Sequence, residues 1–320
     1  FYLVSQLGML AGTMIYVNAG AQLGAVDKFS LQGVLTPGVI GSLILLACFP
    51  YIVKRVMAWR HRRRVYSAFK RPTSFDANVV VIGGGSAGLV TSYLIAALKA
   101  KVTLIEKHLM GGDCLNTGCV PSKALLRAAK AAHEVRTANA LGVNVAELTI
   151  DFPRVMAHVH DAINHIAPHD SMERYTELGV NCVPGSARLI SPWEVDVDGQ
   201  RITARQIVIA SGARPRVPEL PGIGDIAYLT SENLWSLETL PARLLVVGGG
   251  PVGCEMAQAF QRLGSQVILV QRSAQLLPKA DKDAAKILEN CLIGEGVEVL
   301  TSSYVSAFTV KGGESLAQVM

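Results

Sequence analysis

Two stretches of this chain, 165 residues apart, repeat one pattern, and the repeat limits the fold more than any other feature. The first runs from Asn78-Val79-Val80-Val81-Ile82 into Gly83-Gly84-Gly85-Ser86-Ala87-Gly88. An apolar helix-forming stretch from Leu89 to Leu98 follows, then Lys101-Val102-Thr103-Leu104-Ile105-Glu106. The second runs from Arg243-Leu244-Leu245-Val246-Val247 into Gly248-Gly249-Gly250-Pro251-Val252-Gly253, then Cys254 to Phe260, then Gln266-Val267-Ile268-Leu269-Val270. Short apolar runs bounded by glycine suit strands buried on both faces, and their alternation with helices gives parallel βαβ units. The sequence therefore predicts an α/β fold with two Rossmann-like domains.

In each unit the glycine spacing suits a dinucleotide. One glycine permits the tight turn, one lets the backbone approach a pyrophosphate, and one lets helix and strand pack closely. The candidate cofactor contacts are Gly83, Gly85, Ser86 and Gly88 in the first unit, and Gly248, Gly250 and Gly253 in the second. Glu106 closes the first unit, where a carboxylate can accept ribose hydroxyls. The second unit closes on Gln271-Arg272 instead. A guanidinium in place of an acid favours a 2′-phosphate, so NADPH is expected there over NADH.

Between the units lies Gly111-Gly112-Asp113-Cys114-Leu115-Asn116-Thr117-Gly118-Cys119-Val120-Pro121-Ser122-Lys123. Pro121 and the Ala/Leu-rich stretch after Lys123 predict a helix beginning beside the second cysteine. A thiolate at a helix N-terminus is favoured, so at least one cysteine is expected to have a lowered pKa. The spacing alone fits a structural disulfide, two packed thiols or part of a zinc site, although a second ligand pair for zinc is lacking. Only this pair among the six cysteines has a meaningful spacing, which argues against a disulfide-stapled secreted protein. With two dinucleotide units around it, the pair reads as an electron acceptor. A flavin is the cofactor that takes a hydride and passes electrons to a disulfide.

With its flanks, the cysteine run closely resembles the redox-disulfide signature of the class I pyridine-nucleotide-disulfide oxidoreductases, and the resemblance covers about residues 78–320. It implies FAD on Gly83–Gly88, with Glu106 on the adenosine ribose and further contacts from Gly112, Lys123, Ala187, Ser211 and Gly212. It implies a nicotinamide cofactor on Gly248–Gly253 beside Arg272. Electrons would pass from NAD(P)H through the flavin to Cys114–Cys119 and on to a disulfide or metal-ion substrate. Cys119 would be the charge-transfer thiolate and Cys114 the interchange thiol. Lys123 would lie beside the flavin, paired with Glu255 in the nicotinamide domain. Pro251 stands where glutathione reductases carry an aromatic gate, which points away from that enzyme. Residues 167–175 and 191–195 are most similar to mercuric-reductase-like members. The family's dimerisation domain, with its His–Glu acid/base pair, would lie beyond Met320. The chain thus reads as a fragment that is inactive alone, cut from a homodimer.

The N-terminal part has another character. Residues 1–26 and 29–53 carry no charged side chain, and each is long enough to cross a bilayer as a transmembrane α-helix. Lys54 to Arg64 then holds six Lys/Arg in eleven residues, with Trp59 suited to an interface. Residues 1–71 hold 9 Lys/Arg and 1 Asp/Glu, against 21 and 24 in the remainder, so the net charge of +5 arises in this region. Contact with membrane lipid through residues 1–64, at the cytoplasmic face of the inner membrane, is the expectation. Nucleic-acid binding has no further support. Residues 7–17 also resemble the C-terminal part of DedA-like (SNARE-associated Golgi protein-like) membrane proteins. That resemblance raises a second function, a transporter or lipid-handling protein whose flavin domain is a redox sensor.

The expected division is a membrane part over 1–53, a basic linker over 54–77, an FAD domain over 78–215 and an incomplete NAD(P) domain over 216–320. Residues 133–181 read as helical, with His158, His160, His165 and His169 solvated or partly buried, and no metal ligand set is proposed. Gly185 to Gly199 predicts a small antiparallel sheet turning at Asp198-Gly199. Gln206-Ile207-Val208-Ile209 predicts a buried strand ending in a Gly/Pro loop.

Overall fold

The computed structural model describes residues 37–320 together with residues 13, 14, 16–18, 20, 21 and 24. It divides into two compact units, Phe1–Pro72 and Thr73–Met320.

In the first unit, α1 (Pro37–Tyr66) is one continuous helix with Pro50 inside it. Arg63 and Arg64 fall in its last turn, where cations complement the helix dipole. The Arg63 guanidinium lies over the Trp59 ring, 4.6 Å from its centroid. Among the described residues, no helix is long and apolar enough to cross a membrane. The transmembrane helices expected from the sequence are therefore not supported: the uncharged part of α1 ends at Val53, and the cationic run continues in the same helix. Most of residues 1–26 lies outside the described residues.

In the second unit, β1 (Ala77–Ile82) and β2 (Val102–Glu106) flank α2 (Ser86–Ala97). The cysteine segment follows as two helices, the short α3 (Gly112–Asn116) and α4 (Cys119–Thr137). Next come α5 (Phe152–Ile166), α6 (Met172–Glu177), β3 (Asn181–Pro184), β4 (Ala187–Ser191), β5 (Glu194–Val197) and β6 (Gln200–Ile209). One six-stranded sheet has the order β3-β2-β1-β6-β5-β4. Strands β3, β2, β1 and β6 are mutually parallel, and β5 and β4 are antiparallel additions. Val80 and Val81 are fully buried, as expected for a strand covered on both faces. The antiparallel part turns at Asp198, φ +50°, and Gly199, φ +93°, so the expected sheet and turn are present.

The second repeat gives β7 (Arg243–Val247), α7 (Pro251–Leu263) and β8 (Gln266–Val270), followed by α8 (Lys282–Gly294) and β9 (Glu298–Leu300). These strands form a parallel sheet in the order β7-β8-β9, and β10 (Val305–Lys311) pairs with β11 (Glu314–Val319) as a hairpin.

The largest core joins the two dinucleotide folds rather than filling either alone. It includes Leu125 and Ala129 of α4, Phe152, Met156 and Val159 of α5, and Ala257 and Phe260 of α7. Phe152 and Phe260 hold ring centroids 6.3 Å apart. At the far end of α7, the half-buried Glu295 receives two hydrogen bonds from Arg262 at 2.6 Å and one from Gln258 at 2.9 Å. Burial raises its pKa, but Arg262 and Gln258 outweigh that and hold it below the usual carboxylate range.

Residues 133–181 are not one helical stretch. α4 stops at Thr137, Gly142 takes φ +81°, and α5 restarts only where Asp151 caps the N–H of Arg154. His158, His160 and His165 lie on α5 and His169 in the following 3-10 turn. Among the described residues no group of His, Cys, Asp and Glu is placed to hold a metal ion.

Candidate active site

The first glycine loop leaves β1 through Gly83, at φ +110°. A Cβ on Gly88 would lie 1.7 Å from the Gly83 carbonyl oxygen, so only glycine lets α2 start this close to the strand end. Gly85 precedes α2 with no side-chain cap, leaving the first N–H groups of the helix to a ligand. That end is an anion site in the making.

The cysteine segment is sewn to this loop. The Gly111 N–H donates to the Gly84 carbonyl at 2.9 Å. A Cβ on Gly112, at φ +56°, would lie 2.6 Å from the Gly85 Cα. Two bare backbones thus meet where a pyrophosphate would rest, and any side chain on Gly112 would displace the Gly85 backbone. The residues fit a dinucleotide.

Glu106 does more than wait for a ribose. Its Oε2 accepts from the Gly84 N–H at 2.6 Å and its Oε1 from the His108 N–H at 2.8 Å, which fixes the turn. A carboxylate has about four lone-pair positions, so acceptor capacity remains for two hydroxyls. The Gly185 N–H donates to the Glu106 carbonyl at 2.9 Å, and Ala187 begins β4 two residues later. Across the turn, the would-be Cβ of Gly83 sits 2.2 Å from the Ala210 oxygen and 3.2 Å from the Ser211 Cα. Gly212, at φ +68°, follows. Thus Glu106 and Ala187, and on the other side Ser211 and Gly212, flank the first loop.

The second loop copies the first. A Cβ on Gly253 would lie 1.9 Å from the Gly248 oxygen, and Gly250 precedes α7 without a side-chain cap. Gln271 stands where Glu106 stands: its Oε1 accepts from the Gly249 N–H at 3.0 Å. This neutral amide is buried, while Arg272 beside it is exposed.

Cys114 lies in α3 and Cys119 is the first residue of α4, and neither is in a disulfide. The neighbouring Cys119 first, and burial second, push the Cys114 thiol above its usual range, and Ser86 offsets this only in part. The lowered pKa expected for at least one cysteine of the pair is not found at Cys114, where a second thiol close by and burial both disfavour a thiolate.

Lys123, one turn along α4, reaches Glu255 on α7, with Nζ 3.2 Å from Oε1. The two side chains are 64% and 36% exposed, so the pair orients more than it stabilises. It nonetheless joins the helix that carries Cys119 to the helix that follows the second glycine loop.

Two features escape the sequence. Ser86, besides standing in the glycine loop, works against Cys119 and burial to lower the Cys114 thiol pKa. Trp235, in the connector between the two folds, donates its indole N–H to the Thr117 carbonyl at 3.0 Å and the Ser231 carbonyl at 2.8 Å. A tryptophan in an otherwise polar stretch was the only signal, because a buried indole needs an acceptor.

Known proteins match this arrangement. The family model described as pyridine nucleotide-disulphide oxidoreductase matches residues 77–320. A mercuric reductase of Bacillus cereus is 33% identical over 230 residues, covering 72% of this chain and 36% of that protein. A dihydrolipoyl dehydrogenase of Chlamydia pneumoniae is 34% identical over 237 residues, covering 72% of this chain and 50% of that one. The HOCl-induced flavoprotein disulfide reductase RclA of Escherichia coli superposes with a TM-score of 0.63 at 26% identity, covering 75% and 54% of the two chains. The chain thus spans half or less of the length of these two curated relatives. Neither the DedA-like resemblance nor the transporter alternative gains support from these matches, and the family model begins only at residue 77. By its residues 77–320, the chain belongs to the pyridine nucleotide-disulphide oxidoreductase family.

Proposed function

We propose that the protein is an FAD-dependent oxidoreductase that takes electrons from NAD(P)H and delivers them through Cys114 and Cys119 to a disulfide or metal-ion substrate. The observation that carries this reading is the contact of Gly112 with Gly85, which fastens the segment bearing Cys114 and Cys119 to a dinucleotide loop. FAD, when bound, supplies a two-electron acceptor able to reduce a disulfide. Gly83, Gly85, Ser86 and Gly88 would hold its pyrophosphate, and Glu106 its ribose. Lys123 and Glu255 keep the thiol helix and the nicotinamide helix in register. Cys114 holds its proton more tightly than an ordinary thiol, so thiolate attack on a substrate needs a base. That base would be the His–Glu pair of the family's dimerisation domain, contributed across a homodimer.

The test is spectroscopic. Anaerobic reduction of the full-length, FAD-loaded protein by NADPH is expected to produce a long-wavelength charge-transfer band that Cys119→Ser removes while FAD stays bound. A band that survives the substitution overturns the assignment of Cys119.

NADPH is the proposed electron donor, on the strength of Gln271 and the exposed Arg272. Gln271→Glu restores the acid of the first unit and is expected to shift the ratio of kcat/KM values toward NADH by at least tenfold. An unchanged ratio refutes that role.

The site of action is proposed to be the cytoplasmic face of the inner membrane, with residues 1–64 against lipid. The exposed Trp59 and the cations beside it support this reading, as aromatic and basic residues suit an anionic interface. Full-length protein recovered in the soluble fraction after cell disruption at low salt counts against it.

A further inference from the structure

We propose that Trp235 is a positioning residue for the redox pair, holding the peptide between Cys114 and Cys119 so that the two sulfurs stay within bonding reach. This rests on reading Cys114 and Cys119 as a redox couple. Trp235 is 7% exposed and packs in the core that joins α4, α5 and α7. Its N–H is shared by the Thr117 and Ser231 carbonyls. Thr117 is the link between α3 and α4, and its own N–H donates to the Asp113 carbonyl at 2.9 Å. Gly118 lies directly over the same strand of backbone, since a Cβ there would meet the Asp113 oxygen at 2.7 Å and the Cys114 Cα at 3.5 Å. Within this folded loop, the Thr117 peptide sets where α4 begins and therefore where Cys119 stands.

The hydrogen bond arrives from a residue 118 positions later in the chain, in the connector between the two dinucleotide folds. The connector thus anchors the loop from outside. Anchoring raises the effective concentration of one sulfur at the other, and that favours the disulfide over the dithiol. Loosening the loop should make the disulfide easier to reduce.

The experiment equilibrates the full-length, FAD-loaded protein anaerobically with mixtures of dithiothreitol and its cyclic disulfide, then alkylates and weighs the cysteine peptide. The Cys114–Cys119 S–S bond breaks and takes two electrons and two protons from dithiothreitol, which closes to its own disulfide. Trp235→Phe removes the N–H and keeps an aromatic ring in the core. It is expected to raise the equilibrium constant for reduction about tenfold, a shift of about 30 mV for a two-electron couple. A constant within twofold of the parent overturns the proposal. Leu292→Ala is the structural control: it lies in the same core, fully buried on α8, away from the loop. It should lower thermal stability and leave the constant alone. An equal shift in Leu292→Ala would mean general loosening and would also overturn the proposal. Should Trp235→Phe not accumulate, 3-benzothienylalanine at this position keeps the shape without the N–H and must give the same tenfold shift. If the parent protein shows no titrating pair, the redox reading falls and this inference falls with it. A parent that titrates while Trp235→Phe does not move removes this inference alone.

Discussion

Gly88→Val is expected to yield a protein that purifies without FAD and is destabilised by about 3 kcal/mol or more. The added Cβ would lie 1.7 Å from the Gly83 oxygen and 2.9 Å from the Gly83 carbonyl carbon, both backbone atoms with nowhere to retreat. Val81 closes the third side at 3.5 Å. α2 must then lift off β1, and its uncapped N–H groups leave the place where the pyrophosphate belongs. Gly253→Val repeats the clash at 1.9 Å from the Gly248 oxygen, so it should abolish nicotinamide binding while FAD is retained. Gly224→Ala is the control, because nothing lies within 4 Å of its added Cβ and its φ is not positive. Flavin absorbance per protein and a thermal melt decide the matter. Normal flavin content and stability in Gly88→Val would refute the role given to that glycine.

The same glycines explain why so much of the fold was legible. A strand of Val and Ile followed at once by glycines and an apolar helix leaves few alternatives, and β1, α2, β2, β7, α7 and β8 all lie where that pattern puts them. The resemblance already pairs Lys123 with Glu255, 132 residues away, and the packing of α4 against α7 brings them together. Periodicity describes one face of one helix and says nothing of the helix across from it. For that reason the bond from Trp235 to Thr117 stayed hidden.

The failures have local causes. Residues 133–181 read as helical, but Gly142 at φ +81° ends the first run, and the β-branched Val143, Val145, Thr149 and Ile150 follow before α5 begins. At Cys114 the helix-terminus argument treated each thiol alone. The neighbouring Cys119 and burial both disfavour a thiolate at Cys114, and neither is visible from one helix end. At α1, the uncharged sequence looked long enough for a span, while the described helix carries its cations from Lys54 onward.

Cys114→Ser is expected to lower turnover with disulfide or Hg(II) acceptors at least about a thousandfold in the full-length protein, because a hydroxyl cannot form the mixed disulfide or hold a soft metal ion. The charge-transfer band should remain, since Cys119 is intact, and this separates the loss from unfolding. The parent protein adds a pH dependence whose sign follows from the site. The neighbouring Cys119 first, and burial second, favour the protonated thiol at Cys114. Its thiolate therefore appears only as pH passes above the ordinary thiol range, and alkylation of the reduced chain by iodoacetamide should keep accelerating there. Cys119→Ser leaves burial in place but replaces the thiol partner with a hydroxyl that cannot ionise. The alkylation profile of Cys114 should then move toward lower pH. Ser86→Ala removes a hydroxyl that lowers the Cys114 pKa and should move the profile the other way. A Cys114 profile that stays put in both variants would mean that neither neighbour controls its proton. The base proposed from the family's dimerisation domain would then be unnecessary to the chemistry.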